Sequence, residues 1–475
     1  MLRTCSQNGS KIFRLTRRAG HRSQQRYSPI PLTQVRRYSN APPWRPASTL
    51  DEWVGKEARP ISLRQLMVFG RSLTETRLIS SANYVRTELP TRLAHRIRDM
   101  QTLPYVVVTN PHISQVYELY YKAFESLRRV REIKTLEDNE KFCQKISQTL
   151  QEHLTVIPKL AMGILECRDL MRPEDMDKFM NTILRSRISR RVIAEQHLAL
   201  TETFNSPWHF PSSSSTITTD PSTEFVGEVF LRCNAGEVVQ RCYSAISSLC
   251  ALAYGPSVVL PSITLSGHTS ATFPYILSHL EYIIGELLRN SIQAIVEHQK
   301  SSKTDTPPAI EVTVCEAPQH VIIRVSDQGG GIPRDILPHL WSFSKGPRSS
   351  QRLENLRGVP KMAATLQELR VSSDLPPGLS SPSPPHHSSH PHPKKVEKAE
   401  TSSHAHDSSL SSLSSRPPNL RLGMGLPLSR VYAEYWAGSL ELHSLEGYGV
   451  DAFLQISKLG NKNEQLTMRA SMDAV

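Results

Sequence analysis

Between Pro60 and Phe204 apolar residues recur three and four positions apart. The stretches "LRQLMVFG", "VYELYYKAFESL", "FCQKISQTLQEHLTVIPKLAMGIL" and "MDKFMNTILRSRISRRVIAEQHLAL" each gather them on one face of a helix. Short breaks, "TLPYVVVTNP", "RRVREIKTLED" and "DLMRPED", separate the four, and this spacing predicts an up-and-down four-helix bundle over residues 55–210. The polar run "NSPWHFPSSSSTITTDPSTEF" marks a domain boundary. Over residues 222–460 the periods mix. "EVVQRCYSAISSLCALAYG" and "LSHLEYIIGELLRNSIQAIVEHQ" read as helices, whereas "AIEVTVCEA", "HVIIRVSD", "SLELHSL" and "VDAFLQISK" alternate as strands, which predicts an α+β domain on an antiparallel or mixed sheet. Inside it, residues 372–419 hold 15 Ser, 9 Pro and 6 His and no aromatic residue, too little apolar surface for a core. They read as a disordered, solvated insert rather than a histidine metal site, and residues 461–475 as a tail.

Charge changes the picture at one end. The formal net charge is +12, but residues 1–50 carry ten Lys/Arg and no Asp/Glu, so the remainder is nearly neutral. That argues against a nucleic-acid backbone binder. The Arg-rich, Ser-containing, acid-free segment 1–40 has the composition of a mitochondrial transit peptide, with "VRRYSN" suiting a cut near Tyr38 and Ser39. No run reaches the ~18 apolar residues of a membrane span. Seven scattered cysteines without a C-x-x-C pair indicate neither a zinc site nor a disulfide framework, in keeping with a reducing matrix.

Candidate chemistry starts in "YIIGELLRNSIQAIVEHQ", where Glu286 and Asn290 share a helix face that Gln293 and Glu297 continue. Leu280, Ile284, Leu288 and Ile295 form the opposite, apolar stripe, so alone this is an amphipathic helix with a wet face. The order of the segments C-terminal to it alters that reading: a hairpin ending in "DQGGGIP", then "LRLGMGLPLSRVYAEYWAG" with glycines leading into a helix, then two closing strands. Each part has a use in holding ATP. Asn290 can offer an amide oxygen to Mg²⁺, a hard ion that prefers oxygen ligands and bridges phosphates. Asp327 can accept from the exocyclic adenine amine. Gly329, Gly330 and Gly331 let backbone approach the nucleotide, while Gly423 and Gly425 present amides at a helix N-terminus, where phosphate is favoured.

The box "ELLRN" and the glycine boxes "DQGGGIP" and "GMGLPLSR" resemble the α/β-sandwich ATP-binding fold of gyrase-type ATPases, heat-shock chaperones, mismatch-repair ATPases and histidine kinases. More narrowly, "ISLRQLMVFG", "VRTELPTRLAHRI", "LPYVVVTNP", "ILRSRISRRVIAEQHLAL", "LLRNSIQAIVE" and "SRVYAEYWAGSLELHSLEGYG" resemble the mitochondrial kinases that phosphorylate the pyruvate and branched-chain 2-oxo-acid dehydrogenase complexes. The likeness runs from about residue 60 to about 458, apart from the two loops. It implies a serine kinase that inactivates the thiamine-dependent α subunit of one of these complexes in the matrix. It also implies that Glu286 is the general base, Asn290 the Mg²⁺ ligand and Asp327 the adenine reader, with Arg289, Gly329, Gly331, Ile332, Gly423, Met424, Gly425 and Leu426 as further ATP contacts. The bundle would dock on a lipoyl domain of the complex, and the chain would dimerise through its ATP domain.

Some positions depart from the family pattern. Arg289 replaces the usual lysine, keeping the charge with another geometry. Arg421 stands where the second box usually opens with one more glycine, and is expected to narrow the backbone angles there. Val450 replaces a threonine often found near adenine. Together with the insert, these departures motivate an alternative, a nucleotide-binding but inactive regulatory scaffold. Tyr282, one turn before the base, matches the branched-chain type, whereas pyruvate-type members often have histidine there. The tail also lacks the Asp-Trp pair of many pyruvate-type members, and the choice of complex stays open. A histidine kinase would need H-[ED]-x-x-x-P, which "QHLALTE" around His197 lacks. No H-R-D, D-F-G or P-loop motif is present either.

Overall fold

A computed structural model of the chain describes residues 47–71, 73–205, 225–256, 258–302, 306–347, 349–359, 361, 421–458 and 464. The segment 1–40 expected to target the chain, the 372–419 insert, most of the boundary loop and the tail other than Glu464 lie outside the described residues.

The helices come first: α1 (Ala47–Val54), α2 (Leu63–Arg71), α3 (Glu75–Gln101), the one-turn α4 (Tyr105–Val108), α5 (Pro111–Arg128), α6 (Leu136–Glu152), α7 (Val156–Glu166) and α8 (Pro173–Asn205). The four long rods are α3, α5, the α6–α7 pair joined by a 3₁₀ turn, and α8. Here the fold corrects the pattern reading. "LRQLMVFG" makes only the short α2, and the fourth rod is the 27-residue α3, which the apolar period did not single out. Two causes are visible. Pro90 lies inside α3 and normally reads as a breaker, and the buried face of α3 carries Glu88, Arg92 and Arg96 among its apolar residues, which blunts the period. Apolar burial on both sides of the proline, at Val85, Leu89, Leu93 and Ile97, holds the helix together.

Local chemistry sets the helix starts. The Thr74 hydroxyl accepts from the Arg77 N–H at α3, Asn110 accepts from the His112 and Ile113 N–H groups with Pro111 at the first turn of α5, and Thr135 with Asp138 closes a capping box on α6.

The second region comprises β1 (Phe225–Val226), β2 (Val229–Asn234), α9 (Ala235–Tyr254), β3 (Ile263–Gly267), β4 (Thr272–Ile276), α10 (Leu277–Ser302), β5 (Ile310–Glu316), β6 (His320–Asp327), α11 (Ser349–Arg357), α12 (Gly425–Tyr435), β7 (Ser439–Leu445) and β8 (Gly449–Ser457). The main sheet runs β3-β5-β6-β8-β7; β3 is parallel to β5 and the other neighbours are antiparallel, so the sheet is mixed. A smaller sheet, β1-β2-β4, was not anticipated, its strands being short and β4 containing Pro274. Helices α10 and α12 pack on the main sheet and on each other.

Along β6 the alternation buries Val321, Ile323, Val325 and finally Asp327. The same period that builds the core thus delivers a carboxylate to its edge. Bundle and sheet region touch through α8 with α12 and α7 with α11. Glu464 fastens them further: its carboxylate lies 2.7 Å from Arg92 Nη1 on α3, accepts from the Ile61 N–H at 3.2 Å and accepts from the Tyr435 hydroxyl on α12. No helix among the described residues is long and apolar enough to cross a membrane.

Candidate active site

Helix α10 is anchored by Leu280, Ile284, Leu288 and Ile295, all fully buried. The same helix brings Glu286 to the N-terminus of α12 and Ser291 to the end of β6. Glu286 is 6% exposed, its Oε1 lying 3.4 Å from Arg289 Nη1 one turn on. Its Oε2 lies against Gly425, the first residue of α12, where a Cβ would overlap that oxygen. A side chain at 425 would therefore displace the Glu286 carboxylate from its place beside α12. Arg289 is buried and turned to the carboxylate rather than to solvent. Asn290 is half-exposed and its side chain makes no hydrogen bond to another described residue, which leaves its amide oxygen free for a hard cation.

Asp327 is 7% exposed. Its Oδ2 accepts from the Ser291 hydroxyl at 2.8 Å and its Oδ1 from the Gly329 N–H at 3.0 Å. Burial raises its pKa above the ordinary carboxylate value, with the Gly329 and Ser291 hydrogen bonds pulling the other way. The chain then turns back: the Gly330 N–H donates to the Tyr448 carbonyl at 3.0 Å, and the Gly330 carbonyl accepts from Gly447 at 2.8 Å. Gly331 has φ +72° and lies against the Leu445 carbonyl, so both its conformation and its surroundings exclude a side chain. The Ile332 N–H donates to Ser444 Oγ at 2.7 Å. The first glycine box is thereby locked to the β7–β8 turn. Val450 sits opposite Asp327 in the β6–β8 register.

In the second box Gly423 has φ +67°. Met424 is buried, and Leu426 packs partly against the core. Arg421 is not left-handed: Ala437 is the one non-glycine residue with positive φ among those described. The expected narrowing does not arise, and the Arg421 guanidinium instead pairs with Glu297 of α10 while its carbonyl accepts from Asn355 at 2.8 Å. Tyr282 is buried against the Tyr432 ring, 5.2 Å between centroids.

Pattern reading missed two contributors. Ser291 adjoins Asn290 in sequence, and a helical projection of α10 would have flagged its hydroxyl. Arg352, which donates to the Gly423 carbonyl at 3.1 Å, left no signal, since its partners are backbone carbonyls and those in the second box lie some 70 positions on.

Two family models and several curated relatives match the chain. Residues 60–230 match the model of the mitochondrial branched-chain alpha-ketoacid dehydrogenase kinase, and residues 276–377 that of the histidine kinase-, DNA gyrase B- and HSP90-like ATPase. The chain is 32% identical over 432 residues to the mitochondrial pyruvate dehydrogenase (acetyl-transferring) kinase 2 of Saccharomyces cerevisiae, covering 88% of this chain and 86% of that one. The chain belongs to the mitochondrial 2-oxo-acid dehydrogenase kinase family. The Arabidopsis thaliana pyruvate dehydrogenase kinase is 29% identical over 418 residues, 87% of this chain and 94% of that one. For Drosophila melanogaster the figures are 26% over 435 residues, 88% and 86%. The kinase is thus an ATP-dependent protein kinase.

Proposed function

We propose that the kinase transfers the γ-phosphoryl group of ATP to a serine of the thiamine-dependent α subunit of the pyruvate dehydrogenase complex in the mitochondrial matrix, switching the complex off. The observation that carries this reading is the packing of Glu286, one helical turn before Asn290, against the Gly425 end of α12, in a chain similar over most of its length to kinases named for that complex.

Glu286 takes the proton of the serine hydroxyl as its oxygen attacks, a role typically worth about 10²–10⁴ in rate. Asp327, held by Ser291 and Gly329, accepts from the adenine amine. The amides around Gly423 to Leu426 and the Arg289 charge receive the phosphates, and the glycines at 329 and 331 with Ile332 border the base. Asn290 would hold Mg²⁺, which neutralises phosphate charge when bound.

Two partners belong to the same reading. The bundle, over residues 55–210, docks on a lipoyl domain; its groove of about 1320 Å³, lined by Leu66 and Phe69 with Arg64, Arg77 and Arg86, suits an acidic domain with an apolar tip. The kinase domain, over residues 222–460, pairs with a second copy. Transfer of labelled phosphate from ATP to purified pyruvate and branched-chain complexes, run in parallel, tests the assignment. Label on the pyruvate complex, lost with Glu286→Gln although ATP still binds, is the expected result. Label on neither complex, with ATP bound, would replace the enzyme by a scaffold.

A further inference from the structure

Arg352 on α11 is 6% exposed and gathers backbone carbonyls from two distant segments. Its Nη2 donates to Phe343 O at 3.0 Å and Gly423 O at 3.1 Å, its Nη1 to Lys345 O at 3.1 Å and its Nε to Leu422 O at 3.3 Å. A planar fork of five N–H donors suits such a task, and a lysine would not reproduce it. The turn it grips is held from the other side by the bundle. Asp177 of α8 accepts from the Phe343 N–H at 2.8 Å and the Ser344 N–H at 3.4 Å. One turn thus has a carboxylate on its amides and a guanidinium on its carbonyls.

The consequence reaches the second glycine box. A Cβ at Gly423 would overlap Arg352 Nε, so the guanidinium occupies the space that the glycine leaves. Two residues later Gly425 opens α12 beside Glu286. We propose that Arg352 is a positioning residue that fixes the phosphate-facing backbone at Gly423, and that Asp177 sets Arg352 from the bundle through the 343–345 turn. Backbone amides held in place before the ligand arrives lose less freedom on binding. The adenine end shares none of these contacts, because Asp327 is held by Ser291 and the first box by the β7–β8 turn. The inference rests on the phosphate reading of the second box.

The test titrates the full chain with ATP plus Mg²⁺ and, separately, with adenosine. Arg352→Gln is expected to weaken ATP about tenfold and leave adenosine unchanged, with Arg352→Lys recovering part of the loss. Because Arg352 is buried, Asp177→Asn, at a half-exposed site, supplies a second probe, with ATP about threefold weaker and adenosine again unchanged. Equal weakening of both ligands would make the role merely structural, and unchanged ATP affinity in both Arg352→Gln and Asp177→Asn would overturn the proposal. Asp327→Ala separates this from the underlying reading: if that variant retains its ATP affinity, the nucleotide site itself is misplaced, whatever Arg352 does.

Discussion

In the bundle, Arg92 reaches Glu464 at 2.7 Å, Glu88 at 3.3 Å and the Arg59 carbonyl at 2.8 Å, and His197 is held between Ser81 at 3.0 Å and Asn139 at 2.9 Å. Around α10 the polar groups are less committed. The Asn290 side chain has no hydrogen bond to another described residue, and Asp327 carries a desolvated carboxyl. Both regions bury polar groups, but Arg92 and His197 are each enclosed by several partners of the chain itself, while at Asp327 desolvation outweighs the two hydrogen bonds it accepts. Buried polar atoms cost free energy unless they are paired, so the first arrangement supports stability and the second is kept at the expense of stability.

The contrast can be broken most severely at Arg92. Arg92→Ala removes the buried cation that Glu88 and Glu464 share, though each carboxylate keeps other donors, and should lower unfolding stability by about 2–4 kcal/mol, read from urea melts, with ATP affinity of the folded fraction unchanged. A loss of ATP affinity at that site would erase the distinction between the regions. The opposite outcome is expected for Asp327→Asn: ATP binding falls by roughly 1.5–3 kcal/mol in titration, yet thermal stability at neutral pH rises. The sign follows from the raised folded pKa. The stabilising contribution of protonated Asp327 is complete below the unfolded carboxylate pKa and is lost as pH rises through the folded value, so at neutral pH the group is a liability.

A pH series sharpens the bundle side. Burial lowers the His197 pKa to about 4, and burial with the nearby Arg190 charge lowers that of His153 to about 3. Both depressed values mean stability present above pH ~6.5 and lost as pH falls toward the folded pKa, at about 1.4 kcal/mol per pH unit for each histidine. Replacing His197 by Gln should remove one of these two slopes between pH 6.5 and 5 in melts. If the slope stays intact, the buried neutral histidine is not its source. Smallest is Arg421→Gly, which removes an exposed pair with Glu297 and should change stability by less than about 1 kcal/mol, leaving ATP affinity as it was. A large loss would show that Arg421 acts in the nucleotide site.

Much of this was readable from order along the chain. The strand His320–Asp327 coincides with "HVIIRVSD", and α9, α10, β5, β7 and β8 fall where the periods placed them. Glu286 and Asn290 were legible because a helical period projects residues four apart onto one face. Other features were hidden for definite reasons. α3 was obscured by Pro90 and by arginines on its buried face, and β1, β2 and β4 are too short to establish a period.

Residue order was enough to specify the two-part architecture, the face that Glu286 and Asn290 share and the strand-end carboxylate, because each is written within single helices or strands by a local period, while the reading of Glu286 as a base came from the family resemblance. It could not show that Ser291 holds Asp327 across 36 positions, that Arg352 grips carbonyls some 70 positions away, or that Glu464 closes on Arg92. Those contacts join segments whose separation along the chain carries no period. They come into being when burial of the common core brings α3, α10, α11 and α12 together, and hydrogen bonding then selects which polar atoms can be enclosed.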